Sequence, residues 1–312
     1  MPPVFLKKGR KVSNNYDLYA NHAWYVPGVK GMFVLLGWFL LGSLLGGLVI
    51  GICNAFVPHE IIEKYGELVM YPLSFLPAMV YVAQKSQRNS LFETGYKLDN
   101  RHWGPFKGWQ LALITVALTC GTMISADLPN YWNYKLTTAS PALKSFYDMV
   151  TEILQQMTGG PLWSSFLLAA IFAPIFEEWL CRGMILRGLL TKMKPVWAIV
   201  VSALFFALIH MNPWQALNAF IIGLVMGYVY YKTGSLLLTM LIHFVNNGTA
   251  VILSQFPSLQ EVDFWIDMMP RTTYMIIYVL GLVVLAACLL AFRRIPLEQK
   301  RGNIDTVQLN ID

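Results

Sequence analysis

Five side chains that can transfer protons or donate hydrogen bonds lie inside long apolar segments of this sequence. They are two adjacent carboxylates, two imidazoles on separate segments, and an amide four residues after the second imidazole: Glu177, Glu178, His210, His243 and Asn247. A carboxylate and a neutral imidazole can together hold and deprotonate a water molecule. A second imidazole and a side-chain amide can donate hydrogen bonds to a developing oxyanion. The set supplies what hydrolysis of an amide bond requires.

The nucleophile in that chemistry is expected to be water. The sequence contains no G-x-S-x-G motif, no paired Asp dyad and no obvious Ser–His arrangement. Each polar residue taken singly also has a structural explanation, because an intramembrane His or Asn often only bridges helices. Five of them on three segments favour a functional site, since ionisable residues within a membrane are costly and are functional candidates.

Helical spacing predicts how the two carboxylates are used. Glu178 and Arg182 are four residues apart, so they share a helix face and can form an ion pair. Glu177 lies about 100° around the same helix and is free to point elsewhere. The pair Glu178–Arg182 could by itself be a purely structural ion pair.

The hairpins between these segments predict which side chains meet. Glu177 lies 16 residues before residue 193 and His210 lies 16 residues after residue 194, so in an antiparallel pair they come out level. His243 and Asn247 follow a second hairpin and share one face by their i,i+4 spacing. His243 and Asn247 then lie somewhat nearer the cytoplasmic side than Glu177 and His210, unless the first hairpin projects beyond the membrane. We expect that projection.

Composition places these segments in a membrane. Apolar residues make up 56% of the 312 residues, charged residues only 13%, and the mean hydropathy is +0.51. The net charge of +6 does not indicate nucleic-acid binding, because the basic residues sit in short loops between apolar runs. The four cysteines are scattered and predict neither a disulfide framework nor a zinc knuckle. The predicted fold class is all-α, a polytopic bundle of transmembrane helices.

About eight transmembrane helices are predicted, since a span needs about 20 mostly apolar residues. They lie near 31–57, 67–84, 108–126, 161–190, 195–211, 214–231, 235–255 and 271–293. A further stretch, 141–157, has the spacing of an amphipathic helix that lies at the interface or packs on the bundle. The predicted organisation is a cytoplasmic segment 1–30, one transmembrane domain 31–293 with its catalytic core at about 160–255, and a cytoplasmic tail 294–312.

Loop charges predict the orientation. Lys and Arg gather before the first span and after the second, fourth, sixth and eighth, whereas the other loops carry acids such as Glu60, Glu63 and Asp127. By the positive-inside rule, both termini of an eight-span protein with this pattern are cytoplasmic.

Three short motifs in this region resemble those of the CAAX protease and bacteriocin-processing (CPBP) family of intramembrane glutamate endopeptidases, which includes the type II CAAX prenyl endopeptidase. The family's motifs are Glu-Glu-x3-Arg, Phe-x3-His and His-x3-Asn. They are met in order by Glu177, Glu178 and Arg182, by Phe206 and His210, and by His243 and Asn247. The similar region covers about 160 to 255, roughly a third of the chain.

The resemblance implies an eight-span helical fold with a cavity open to the cytoplasm. It implies that Glu177 and His210 activate water and that His243 and Asn247 form the oxyanion site. Glu178 and Arg182 would support the site. The expected substrate is a peptide or protein, lipidated or not, because the eukaryotic enzyme cleaves prenylated C-terminal tails. No cofactor and no nucleic acid are expected, membrane lipids surround the chain, and a bacterial inner membrane is the expected location.

Three alternatives stay open at the level of sequence. Glu177, His210 and His243 could bind zinc in a metalloprotease, although no H-E-x-x-H motif is present. Intramembrane Glu and His could form the relay of a proton-coupled transporter, although no inverted repeat is visible. The chain could also be a non-catalytic protein of the same fold that acts as a scaffold or in bacteriocin immunity.

Overall fold

The computed structural model describes residues 25–86, 99, 101–157, 161–256 and 264–297. Nine long helices run through these segments, with one further helical turn at Trp265–Met268. In chain order they are α1 (Val29–Cys53), α2 (His59–Lys85), α3 (Gly108–Thr137), α4 (Pro141–Met157), α5 (Leu162–Leu190), α6 (Pro195–Ile209), α7 (Pro213–Thr233), α8 (Leu236–Leu253) and α9 (Arg271–Arg293). The described residues contain no β-strand, which confirms the all-α fold class.

Each of the eight predicted spans corresponds to a helix. Six of these helices, α1, α2, α3, α5, α8 and α9, are long and apolar enough to cross a membrane. Helix α6 is apolar but has only 15 residues, and α7 lies outside the group of six. The polytopic helical bundle is confirmed, while the number of crossings and the orientation stay predictions.

Two helix ends differ from the sequence prediction. Helix α2 begins at His59, directly after Pro58, so Glu60 and Glu63 are helical and not part of a loop. Helix α3 continues to Thr137, so Asp127 is also helical. Hydropathy locates the apolar part of a helix, but the hydrogen-bonded backbone continues into polar residues until a capping signal ends it.

The amphipathic stretch 141–157 forms α4, as predicted. It packs on the bundle through aromatic contacts, because the Tyr147 ring lies 4.9 Å from Trp214 of α7 and 5.0 Å from Tyr134 of α3. The four cysteines all lie within the described residues, and none of them is paired with another there.

Helix α5 contains two segments of wider, π-helical turns, Leu167–Phe172 and Trp179–Leu186. Between them, Ala173–Glu178 is α-helical and ends on the two carboxylates. The N–H of Ala173 donates to the carbonyl of Leu168, five residues earlier. Such wide turns change the direction in which the following side chains point and are frequent at functional sites.

Helix α5 lies at the centre of the bundle and packs against α2, α6, α7 and α8. Small residues allow close approach of neighbouring helices. A Cβ at Gly42 of α1 would lie 2.2 Å from the carbonyl oxygen of Ser74 of α2, and one at Gly223 of α7 would lie 3.1 Å from the Cβ of Ala203 of α6. The glycines therefore set the spacing of the helix pairs α1–α2 and α6–α7.

Candidate active site

Glu178 is the fully buried centre of a polar cluster. Its Oε1 accepts a hydrogen bond from Arg182 Nη1 at 2.8 Å, which confirms the predicted i,i+4 ion pair. The same oxygen lies 3.1 Å from His243 Nδ1 on α8. Arg182 also donates from Nη2 to the carbonyl of Gly223 on α7 at 3.2 Å. Glu178 and Arg182 together thus join α5 to α7 and α8.

His243 lies between the two carboxylates. While Nδ1 faces Glu178, Nε2 is 3.9 Å from Glu177 Oε2, which is within ion-pair reach and too long for a hydrogen bond. His243 follows the turn at Gly234 by nine residues, whereas Glu178 precedes Met193 by fifteen. The two side chains meet, so more residues of the α5–α6 hairpin than of the α7–α8 hairpin lie between this contact and the turn.

The ring of Phe206 packs against three polar side chains of the site. The guanidinium carbon of Arg182 lies 4.4 Å from the centre of its ring, a cation–π geometry. Its ring also meets His210 edge-on at 4.8 Å and His243 edge-on at 5.6 Å. The motif Phe-x3-His already contained Phe206, but nothing in the sequence indicated that it contacts all three side chains.

His210 closes the end of α6. Its Nδ1 lies 2.7 Å from the carbonyl oxygen of Phe206. A carbonyl only accepts, so Nδ1 carries the proton and Nε2 of the neutral ring is an acceptor. Within the described residues His210 makes neither a hydrogen bond nor an ion pair with Glu177. The predicted level placement of Glu177 and His210 stays a prediction, because the contacts of Phe206 join His210 to His243 and not to Glu177.

Glu177 is held by a residue that sequence reasoning missed. The hydroxyl of Tyr71, on α2, donates a short hydrogen bond to Glu177 Oε1. Glu177 Oε2 is buried and accepts no hydrogen bond from the described part of the chain. Tyr71 is one of three tyrosines on α2 and has the pattern of a packing residue, so the sequence carried no signal for this contact.

Asn247 lies one turn beyond His243 on α8. Its Nδ2 donates to the carbonyl of Ala169 on α5 at 2.9 Å, and its Oδ1 accepts from Asn246 Nδ2 at 3.0 Å. One N–H of the amide remains for another acceptor. The structure thus brings Glu177, Glu178, Arg182 and His243 into direct contact, with His210 and Asn247 at the margin of the cluster.

The zinc alternative requires three ligands around one point. No group of three or more His, Cys, Asp or Glu side chains among the described residues is placed to hold a metal ion. The set Glu177, His210 and His243 is therefore not assembled as a metal site in this conformation.

Comparison with known proteins bears on the same region. Residues 159–249 match the family described as type II CAAX prenyl endopeptidase Rce1-like. The resemblance read from the motifs is confirmed. This is a protease family, so the match supports a peptidase, and with the apolar helices it supports a multi-pass membrane protein.

The matched segment contains all three motifs but excludes α1 to α4, and with them Tyr71. Neither the curated proteins nor the solved structures that were compared with the chain gave a match. How the site works is therefore inferred from its geometry and from this family match.

Proposed function

We propose that this chain is an intramembrane endopeptidase in which Glu177 is the general base. The main support for the proposal is that the two carboxylate oxygens of Glu177 have different environments. Oε1 is bonded by Tyr71, whereas Oε2 is buried, accepts no hydrogen bond in the described structure and faces His243. A desolvated, oriented carboxylate oxygen suits proton abstraction from water.

The water is held by two acceptors. Glu177 Oε2 and His210 Nε2 can accept its two hydrogens, because His210 Nδ1 is already committed to the Phe206 carbonyl. The water oxygen attacks the peptide carbonyl as Glu177 takes one proton, and the carbonyl oxygen becomes an oxyanion. The proton then passes to the leaving amine as the C–N bond breaks.

The oxyanion is stabilised by His243 and Asn247. His243 Nδ1 faces the acceptor-only carboxylate of Glu178 and therefore carries a proton. Donation from Nε2 as well requires the doubly protonated ring, which carries a proton on each nitrogen. The remaining N–H of Asn247 is the second donor, as in oxyanion holes of other hydrolases.

Glu178 and Arg182 hold this arrangement in place. In the state that this mechanism uses, the two negative charges of Glu177 and Glu178 equal the two positive charges of Arg182 and doubly protonated His243. Neutrality matters because an uncompensated charge in a low-dielectric interior costs several kcal/mol. We assign Glu178 and Arg182 to positioning, since both face each other and neither is exposed.

The substrate we propose is a membrane-proximal peptide bond, with or without a lipid on the peptide. The loop charges indicate that the site opens toward the cytoplasm, and we propose a bacterial inner membrane as its location. No metal or other cofactor takes part in this proposal.

The test uses purified protein in detergent and two substrates, a prenylated peptide with a four-residue C-terminal motif and an unprenylated peptide library. Glu177→Gln keeps the size of the side chain and is expected to lower kcat by about 10²–10⁴-fold. Glu63→Gln, an exposed carboxylate of α2, is the matched control and should leave kcat unchanged.

Cleavage assays with chelator and assays of solute transport distinguish the proposed mechanism from the alternatives. Cleavage that withstands chelator supports the metal-free mechanism, whereas inhibition that zinc reverses would replace it with the metal mechanism. Full activity of Glu177→Gln would overturn the role of Glu177. Binding of peptides without cleavage would favour a non-catalytic protein, and uphill solute flux in proteoliposomes would favour a transporter.

A further inference from the structure

We propose that Tyr71 is a positioning residue for the reaction, a proposal that rests on the proposed function of Glu177. Its hydroxyl holds Glu177 Oε1 and leaves Oε2 as the oxygen that receives the proton of water. Tyr71 lies on α2, well outside the matched segment 159–249. A residue of the first part of the chain therefore completes a site whose motifs all lie in the second part.

The hydrogen bond from Tyr71 fixes the rotation of the Glu177 carboxylate. The terminal torsion of a Glu side chain is broad, so a carboxylate without a partner rotates and exchanges its two oxygens. Glu177 has only two polar neighbours within reach in the described structure, Tyr71 on Oε1 and His243 at 3.9 Å from Oε2. Because 3.9 Å is too long for a hydrogen bond, the phenol is the contact that determines which oxygen faces the reaction site.

The Tyr71 ring is itself held in place. Its centre lies 5.4 Å from that of Phe75, one turn further along α2, and 6.5 Å from that of Phe176 on α5. Phe75 and Phe176 stack on each other at 5.4 Å, so the three rings form one aromatic cluster between the helices. Phe176 directly precedes Glu177, so the cluster fixes the donor and the backbone beside the acceptor together. Groups locked by packing in this way position a reacting side chain better than groups on a free surface.

One consequence distinguishes positioning from a purely structural role. A carboxylate oriented for proton abstraction affects the chemical step and not substrate binding. Loss of the Tyr71 hydroxyl should therefore lower kcat with little change in KM.

The experiment compares Tyr71→Phe with Tyr81→Phe. Both tyrosines lie on α2 and pack among aromatic rings, Tyr81 at 5.6 Å from Tyr25 and 5.7 Å from Trp38. Both changes remove one hydroxyl, but only Tyr71 bonds a carboxylate of the site. For Tyr71→Phe we expect kcat to fall at least about 10-fold and KM to stay within about 2-fold. For Tyr81→Phe both constants should match those of the unmodified protein.

The outcomes separate this proposal from the one on which it rests. If Glu177→Gln is inactive while Tyr71→Phe keeps the kcat of the unmodified protein, the role of Tyr71 is wrong and that of Glu177 stands. If Glu177→Gln remains active, both proposals are wrong. An equal loss in Tyr71→Phe and Tyr81→Phe would also overturn the positioning role, because it would mark a general effect of altering α2. Should Tyr71→Phe fold poorly, Phe75→Leu loosens the ring but keeps the hydroxyl, and a smaller fall in kcat at unchanged KM is then expected.

Discussion

Helix α5 carries two fully buried arginines, of which only one has a carboxylate partner in the described structure, and this predicts unequal effects of the same substitution. Arg182 pairs with Glu178 at 2.8 Å, bonds the Gly223 carbonyl and lies over the Phe206 ring. Arg187 donates only a long hydrogen bond of 3.4 Å to the carbonyl of Tyr25, and no carboxylate in the described structure pairs with it. The test replaces each arginine in turn by Met, which preserves the length and apolar volume of the side-chain stem.

The expected change in the free energy of unfolding depends on whether the substitution leaves a buried charge without its partner. Arg182→Met leaves the carboxylate of Glu178 buried with only His243 beside it. Breaking a buried ion pair on one side costs about 3–5 kcal/mol of the free energy of unfolding. Arg187→Met removes a buried guanidinium for which the described residues supply no ionic partner, so little attraction is lost and a desolvation cost disappears. We expect a change of about 1 kcal/mol or less for this variant.

A double variant isolates the ion pair. Glu178→Gln combined with Arg182→Met leaves no charge of the pair behind and should recover at least about half of the loss caused by Arg182→Met alone. The comparison does not depend on the absolute stability of the protein, because each variant is measured against the same reference.

The assay is reversible unfolding of the purified protein in detergent micelles by a denaturing detergent, followed by tryptophan fluorescence and far-UV circular dichroism. A difference between Arg182→Met and Arg187→Met of less than about 1 kcal/mol would refute the reasoning. So would a double variant that is no more stable than Arg182→Met, since the loss would then come from packing and not from the unpaired carboxylate.

Three further predictions concern packing and catalysis. Gly42→Ala should destabilise the protein by about 1–3 kcal/mol in the same unfolding assay, because the added Cβ would lie 2.2 Å from the Ser74 carbonyl oxygen. Gly47→Ala, with no atom within 4 Å of its Cβ, should be neutral or stabilising, and equal losses for the two would contradict this. Phe206→Leu should cost about 1–2 kcal/mol of stability but lower kcat by about 10-fold or more, since the ring beside both histidines is lost; unchanged kcat in steady-state assays would argue against it. Asn247→Ala should lower kcat by about 10²–10³-fold at nearly constant KM, and a change confined to KM would assign this residue to substrate binding instead.

Much of the architecture could be predicted from the sequence because its causes are local. Runs of about 20 apolar residues predict membrane helices whatever their neighbours are, and all eight predicted positions are helical. The ion pair of Glu178 with Arg182 was equally predictable, because residues four apart on one helix are neighbours by helix geometry alone. The three ordered motifs likewise led to the family that residues 159–249 match.

What only the tertiary structure decided is how these residues meet across helices. The contact of His243 with both carboxylates, the position of Phe206 beside two histidines and a guanidinium, and the bond from Tyr71 to Glu177 each join different helices. Such contacts depend on the rotation and relative depth of each helix, which hydropathy does not record. In α5 the π-helical turns on either side of Ala173–Glu178 alter both quantities. The sequence therefore determined which side chains could perform the chemistry, and the packing of α2, α5, α6 and α8 decided which of them face one another.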